Sequence, residues 1–404
     1  MKGKGYVSSK VSGIKVIPFY LFTFLLFMLS GCIEEYNADI PSEDSDLLVV
    51  EGSICASKVN TFILTRTLPV NSAYMPTIVW GAKVSVRGSD GSEYDVAQGG
   101  DGYYACKIGD LAPDVEYYLH IETDGDIYES EPQKPLPTEK IAEITAVQYT
   151  RESNIDVLVT PAAPSNPDKV NYYAWTYDET WEVHPDYTTT IFYDTFTMSP
   201  IDKFHQFPDR GWKNATSSAI MVGSSLNYAG QHIQKLKLYD IGRSNERVYH
   251  KYSGLVHQRA ISKAEYEYDL ARRQASSEMG GLFTPLPSAL PSNIHCLTSN
   301  KRVIGFVGCS LNTSEYRFFV KPWEYSIYHP TPKDARTWLD DCNEMDCYRM
   351  VTMKGMYLCE WIDERGMEGT LRTAWAYDYQ LDVRLRGAYI QEPDFWSLDE
   401  NVSY

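Results

Sequence analysis

The chain has 404 residues and a formal net charge of −17, with 54 acidic against 37 basic side chains. So acidic a surface lacks the positive footprint that nucleic acid or an anionic lipid headgroup demands, and both are excluded as principal partners. The length allows two or three domains.

The first fifteen residues carry Lys2, Lys4, Lys10 and Lys15 and no acid, and Val16 to Leu29 is almost wholly apolar. A basic stretch before an apolar run shorter than the ~20 residues of a membrane span reads as a secretory signal. The run closes on Leu29, Ser30, Gly31 and Cys32. This is a lipobox, whose small residues let a signal peptidase reach the bond before the cysteine. Residues 1–31 are therefore expected to be a signal peptide and Cys32 the lipid-attachment residue. Several acyl chains, each methylene contributing ~0.8 kcal/mol, give durable anchoring where one chain is marginal. Glu34, Glu35, Asp39, Glu43, Asp44 and Asp46 follow among Ser, Pro and Asn, a composition expected to form a flexible tether over 32–46.

From Leu47 the pattern is that of β-structure. "LLVVEGSICAS", "TFILTRTL", "AKVSVRGSDGSEYDVAQ", "GYYACKIG" and "EYYLHIETDGDIYESEP" are short alternating runs, and "SDGS" and "TDGD" carry Asp-Gly hairpin signals. Six or seven short strands in about a hundred residues predict an immunoglobulin-like sandwich over 47–138. "EPQKPLPTEK" reads as a connector. A β-rich domain is expected over 139–404, with strands in "IAEITAVQYT", "NIDVLVTPA" and "VNYYAWTYDETWEV". One helix is predicted near 262–279, with Ser262 as N-cap, Glu265 three residues on as in a capping box, and Gly280 and Gly281 at its end. The fold class is thus mainly β with a helical insertion.

The eight cysteines include Cys32, leaving Cys55, Cys106, Cys296, Cys309, Cys342, Cys347 and Cys359 in an oxidising compartment. Cys342 with Cys347 in "CNEMDC", and Cys55 with Cys106, are candidate disulfides. The spacings do not form the paired knuckles of structural zinc.

Chemistry-bearing motifs are scarce. The sequence contains no H-E-x-x-H, no G-x-S-x-G, no P-loop and no G-x-G-x-x-G. The eight histidines include no pair at i, i+4. Asp124 with Asp126, and Asp340 with Asp341, read as solvated turns rather than calcium ligands. No catalytic residue, metal or cofactor is expected. With 31 Tyr, 9 Trp and 14 Phe, aromatic clusters are the candidates for recognition. Trp175, Tyr177 and Trp181 lie in "YYAWTYDETW", and Trp323, Tyr325 and Tyr328 in "KPWEYSIYHP". On a strand, Trp175 and Tyr177 share a face, as do Trp323 and Tyr325. Such a face can stack on a sugar, clamp a peptide or pack a core.

The lipobox, then "LLVVEGSI", "GAKVSV", "DGYY", "AEYEYDLARRQ", "PLPSALPSNI", "VIGFVGCS", "CNEMDC" and "EPDFW" resemble, in order, the Bacteroidetes lipoprotein family called domain of unknown function 4249. Its members are found beside TonB-dependent outer-membrane transporters. The resemblance implies a lipid-anchored, surface-exposed outer-membrane protein, a non-catalytic accessory or ligand-binding partner of such a transporter in nutrient uptake. The acidic run behind Cys32 then also resembles that group's surface-export signal. Cys55, Cys106, Cys296, Cys309 and Cys359 depart from the family pattern, and there are no family catalytic residues to carry over. A surface hydrolase acting on glycan or peptide, and a structural or adhesive surface protein, are the alternatives.

Overall fold

The computed structural model describes residues 46–67, 77–100, 102–202, 207–278, 291–330, 334–365, 370–398 and 401–403. The predicted signal peptide at 1–31, Cys32 and the tether up to residue 45 lie outside them.

The chain is mainly β, as the alternating pattern predicts. Its N-terminal part is a sandwich in which one hydrogen-bonded sheet encloses a single core. The strand order is Ile294–Cys296, Asp126–Ser130, Tyr117–Thr123, Lys83–Gly88, Glu93–Gln98, Tyr103–Lys107, Val59–Arg66, β1 (Leu48–Glu51) and Val303–Gly305. Alternation directs the packing: Val84 and Val86 pair with Ile121 and Leu119, and all four are buried. Both Asp-Gly signals form turns. Asp124 and Gly125 take φ of 53° and 81°, the backbone a two-residue hairpin needs. At the other turn, Asp90 accepts the Ser92 N–H at 3.0 Å.

Both edges of this sheet are closed by one late segment. Ile294–Cys296 pairs antiparallel with Asp126–Ser130, and Val303–Gly305 runs parallel to β1. Gly305 permits that approach: at φ +153°, a Cβ there would stand 2.4 Å from the Val50 carbonyl oxygen. Ile294, Val303, Val307 and Cys309 join the N-terminal core. The 47–138 segment alone would leave two rows of unpaired backbone groups, and the late segment covers them.

The next part packs a three-stranded sheet (Ile141–Val147, Ile155–Pro161, Leu236–Ile241) against a six-stranded one centred on β2 (Tyr172–Val183) and β3 (Tyr252–Ile261). β2 and β3 pair antiparallel from Tyr172↔Ile261 to Trp181↔Tyr252. Trp175, Tyr252, Phe318 and Val157 fill the core between the sheets. A smaller unit follows, with strands Thr337–Leu339, Tyr357–Asp363 and Leu371–Ala376 and helix Glu344–Thr352 enclosing Trp375, Cys347 and Met350.

Helix α1 (Lys263–Glu278) leaves the end of β3, and the Ser262 hydroxyl accepts the Glu265 N–H at 3.1 Å. The capping box predicted there is half-formed. The Glu265 carboxylate turns away from the Ser262 backbone and pairs with Arg259 Nη2 at 2.5 Å. A guanidinium away from water attracts it more strongly than a solvated backbone N–H. Among the described residues no helix is long and apolar enough to cross a membrane.

Candidate ligand-binding cleft

β1 and the loop after it, the middle of β2 and β3, the Thr216–Val222 segment and α1 together wall a cleft of about 780 Å³. A volume of that size suits a small-molecule ligand.

The α1 wall is set by helical spacing. Glu265, Tyr268, Asp269 and Arg272 recur at i, i+3, i+4 and i+7, which places them on one face, and all four line the cleft. Glu265 is 3% exposed and Tyr268 is also 3% exposed. Arg272 reaches Glu51 on β1 at 3.4 Å, tying the helix to the N-terminal sheet. Asp269 makes no hydrogen bond or ion pair among the described residues. Burial first, and then the neighbouring Glu265, push its carboxyl above the usual carboxylate range.

The floor comes from β3. Arg259 projects into the cleft with its side chain one-fifth exposed, and its Nη2 is held by Glu265. Burial works against the guanidinium charge, but Glu265 outweighs it and keeps the group protonated. Arg259 Nη1 is out of contact with solvent and has no hydrogen-bond partner. Such an orphaned buried donor costs about 1–3 kcal/mol unless something accepts from it.

The opposite wall is a chain of charged contacts across three strands. His257 Nε2 meets Asp178 Oδ2 at 2.9 Å, and Nδ1 meets Glu315 Oε1 at 3.2 Å. Thr216 donates to Asp178 at 2.7 Å, and Lys58 pairs with Glu315. Burial opposes the Glu315 charge, but Lys58 and His257 hold its carboxyl below its ordinary value. With a carboxylate at each ring nitrogen, His257 has none directed at a hydroxyl, so the contacts tie strands together rather than activate a nucleophile. Among the described residues no group of three or more His, Cys, Asp or Glu is arranged to hold a metal ion.

The predicted aromatic contacts are dispersed. Trp175 and Trp181 are 2% and 7% exposed, and Tyr177 stacks on Tyr239 at 3.8 Å between ring centres. Trp175 donates from Nε1 to Gln258 at 2.9 Å, and only its edge borders the cleft. The shared face of Trp175 and Tyr177 is a core face. Trp323, by contrast, is 74% exposed and Tyr328 52%. Trp323 sits in the tight turn Pro322–Glu324 rather than on a strand, so it shares no strand face with Tyr325, whose hydroxyl donates to the Ala146 carbonyl at 3.2 Å. Trp323 and Tyr325 border a separate shallow dish with Tyr149 and Arg151.

Of the candidate disulfides, Cys342 and Cys347 place their sulfurs 3.6 Å apart as buried free thiols. Cys55 and Cys106 are also buried and free. Cys106 stands opposite Asn60, while Cys55 lies on the strand paired with Cys309–Ser310. Sequence reasoning did not single out Arg259, Asp269 or Gly308. The available signal was a polar face on α1 at helical spacing, immediately after an arginine in an otherwise apolar strand.

The family model described as "Domain of unknown function (DUF4249)" matches residues 33–316, which include every residue named in the cleft. No curated protein matches the chain. Among solved structures, "Structure of Yersinia pseudotuberculosis adhesin InvE" matches at 16% identity, covering 54% of this chain and 56% of that one, with a TM-score of 0.16. A likeness that low carries no argument about fold or role.

Proposed function

The chain belongs to the family described as Domain of unknown function (DUF4249), and from that premise we propose that it is a non-catalytic ligand-binding lipoprotein serving a TonB-dependent outer-membrane transporter in nutrient uptake. The observation that carries this reading is the cleft, of ligand size and containing a buried guanidinium N–H with nothing to accept it. A binding protein needs convergent polar groups in a concave site and no activated nucleophile. In this cleft the one histidine has carboxylates at both ring nitrogens.

The basic N-region, short apolar run and Leu29-Ser30-Gly31-Cys32 support lipid attachment at Cys32 and an outer-membrane location. A tether of acidic and small residues gives the folded part reach from its anchor. The role is capture of a small solute and its presentation to the barrel.

The test is affinity capture of the lipidated protein from its native outer membrane in mild detergent, read by mass spectrometry. Stoichiometric recovery of a TonB-dependent barrel is expected. Recovery of the lipoprotein alone, or turnover of a glycan or peptide by the purified protein, would refute the reading.

A further inference from the structure

Two groups in the cleft lack a counterpart, and they differ in kind. Arg259 Nη1 is a donor with no acceptor, and the Asp269 carboxyl makes no hydrogen bond or ion pair among the described residues. The other charges of the cleft are matched: Arg259 Nη2 with Glu265, Arg272 with Glu51, His257 with Asp178, and Lys58 with Glu315. We infer that Arg259 and Asp269 are ligand-binding residues, and that the ligand is a neutral saccharide whose hydroxyls accept from Arg259 Nη1 and donate to Asp269. This rests on the ligand-binding reading given above.

Charge excludes the other classes. An anion would satisfy Arg259 but would meet the carboxyls of Glu265 and Asp269 in a site of low polarity, where like charges repel strongly. A cation would suit Asp269 but would leave Nη1 unmatched and face the guanidinium. A group that both accepts and donates satisfies both residues at once, and a hydroxyl does so at a single atom.

The remaining lining fits a polyol. Ser53, Thr61, Thr176, Ser217, Ser218 and Thr313 border the cleft, so hydroxyls able to give or take a hydrogen bond surround the site. Tyr268 and Phe306, with ring centres 5.7 Å apart, supply an apolar side against which the C–H face of a sugar ring can lie. The site is also built around Glu265. A Cβ at Gly308 would stand 2.0 Å from its Oε2, so the pair orienting Arg259 requires a glycine there.

The experiment is calorimetric titration of the full chain with neutral hexoses, pentoses and their disaccharides at about 10 mM, a range that registers even weak association. The matching uronic acids and triglycine are titrated alongside. At least one neutral sugar is expected to bind saturably and more tightly than its uronic acid. Asp269→Ala should lower that affinity about 10-fold or more while leaving the unfolding midpoint unchanged, because Asp269 holds no partner in the fold. Arg259→Lys, which keeps the charge beside Glu265, should weaken binding similarly.

Preference for the uronic acid or the peptide, binding that Asp269→Ala leaves intact, or no binding by any neutral sugar would each overturn the assignment. Capture of a barrel from membranes separates the two proposals. A barrel recovered without sugar binding removes the saccharide and leaves the transporter role. Sugar binding without a barrel does the reverse.

Discussion

Gly308 lies so close to the Glu265 carboxylate that a Cβ on it would stand 2.0 Å from Oε2 and 2.6 Å from Cδ. Even one methyl group must therefore displace a buried charge from its partner. Gly308→Ala is expected to lower stability by about 2 kcal/mol, the usual cost of overpacking a filled site. Urea unfolding measures it, and an unchanged midpoint would show that Glu265 can relocate freely.

Glu265 and Arg259 neutralise each other where neither is well solvated. Removing one partner strands the other. Glu265→Ala should cost about 3 kcal/mol, whereas replacing both residues by apolar ones should cost clearly less than the sum of the single changes. A double-mutant cycle by chemical denaturation reads this coupling, and simple additivity would deny it.

The aromatic candidates should divide by position. Trp175→Ala empties a packed core and is expected to cost about 3–5 kcal/mol. Trp323→Ala removes a side chain that is 74% exposed and should stay within about 0.5 kcal/mol. Scanning calorimetry of the two variants is sufficient, and equal losses would mean that Trp323 is packed in solution.

Acid should destabilise the fold through His250. Burial first, and then the stacked His184 with ring centres 3.7 Å away, push its pKa down to about 4, with His329 adding to the effect and Glu182 opposing it. An unfolded imidazole takes its proton near pH 6.5. Between those values the unfolded chain holds more protons, so the His250 contribution is complete above about pH 6.5 and is lost as pH falls toward 4. Allowing for the solvent that still reaches this ring, the loss is about 1 kcal/mol. The melting temperature of His250→Gln, followed from pH 7 to pH 4.5, should fall less than that of the parent chain. Parallel curves would assign the acid sensitivity elsewhere.

Cys342 and Cys347 should resist alkylation in the native state. Burial, followed by the adjacent Cys342, pushes the Cys347 thiol up, which suppresses the reactive thiolate. With their sulfurs 3.6 Å apart, a strong thiol oxidant should nevertheless join them. Peptide mapping should then find the Cys342–Cys347 segment lighter by two hydrogens. Pairing of either residue with another cysteine would contradict this.

Local patterns revealed much of the fold. The period-two runs and the Asp-Gly pairs marked the N-terminal hairpins because strand pairing there is between sequence neighbours. Ser262 marked the start of α1 because a cap is a contact within a few residues. The binding residues were harder to read, since the cleft joins groups distant in sequence: Glu51 meets Arg272, Lys58 meets Glu315, and Asp178 meets His257. Glu265 looked like a capping residue and acts as a buried counter-ion, a difference decided by where Arg259 sits. The aromatic density that drew attention in "YYAWTYDETW" belongs to core packing, because β2 is covered on both sides over most of its length.

The parallel pairing of β1 with Val303–Gly305 has a consequence for biogenesis. A chain emerging from its N-terminus forms the early hairpins first, yet β1 waits for its neighbour until nearly three-quarters of the polypeptide is out. Throughout that interval the nascent sheet offers an open, apolar edge to any passing strand, the condition under which aggregation competes with folding. Holdase chaperones would therefore act on this protein at one defined place, and truncation before residue 303 should yield an insoluble product however intact its first hundred residues are.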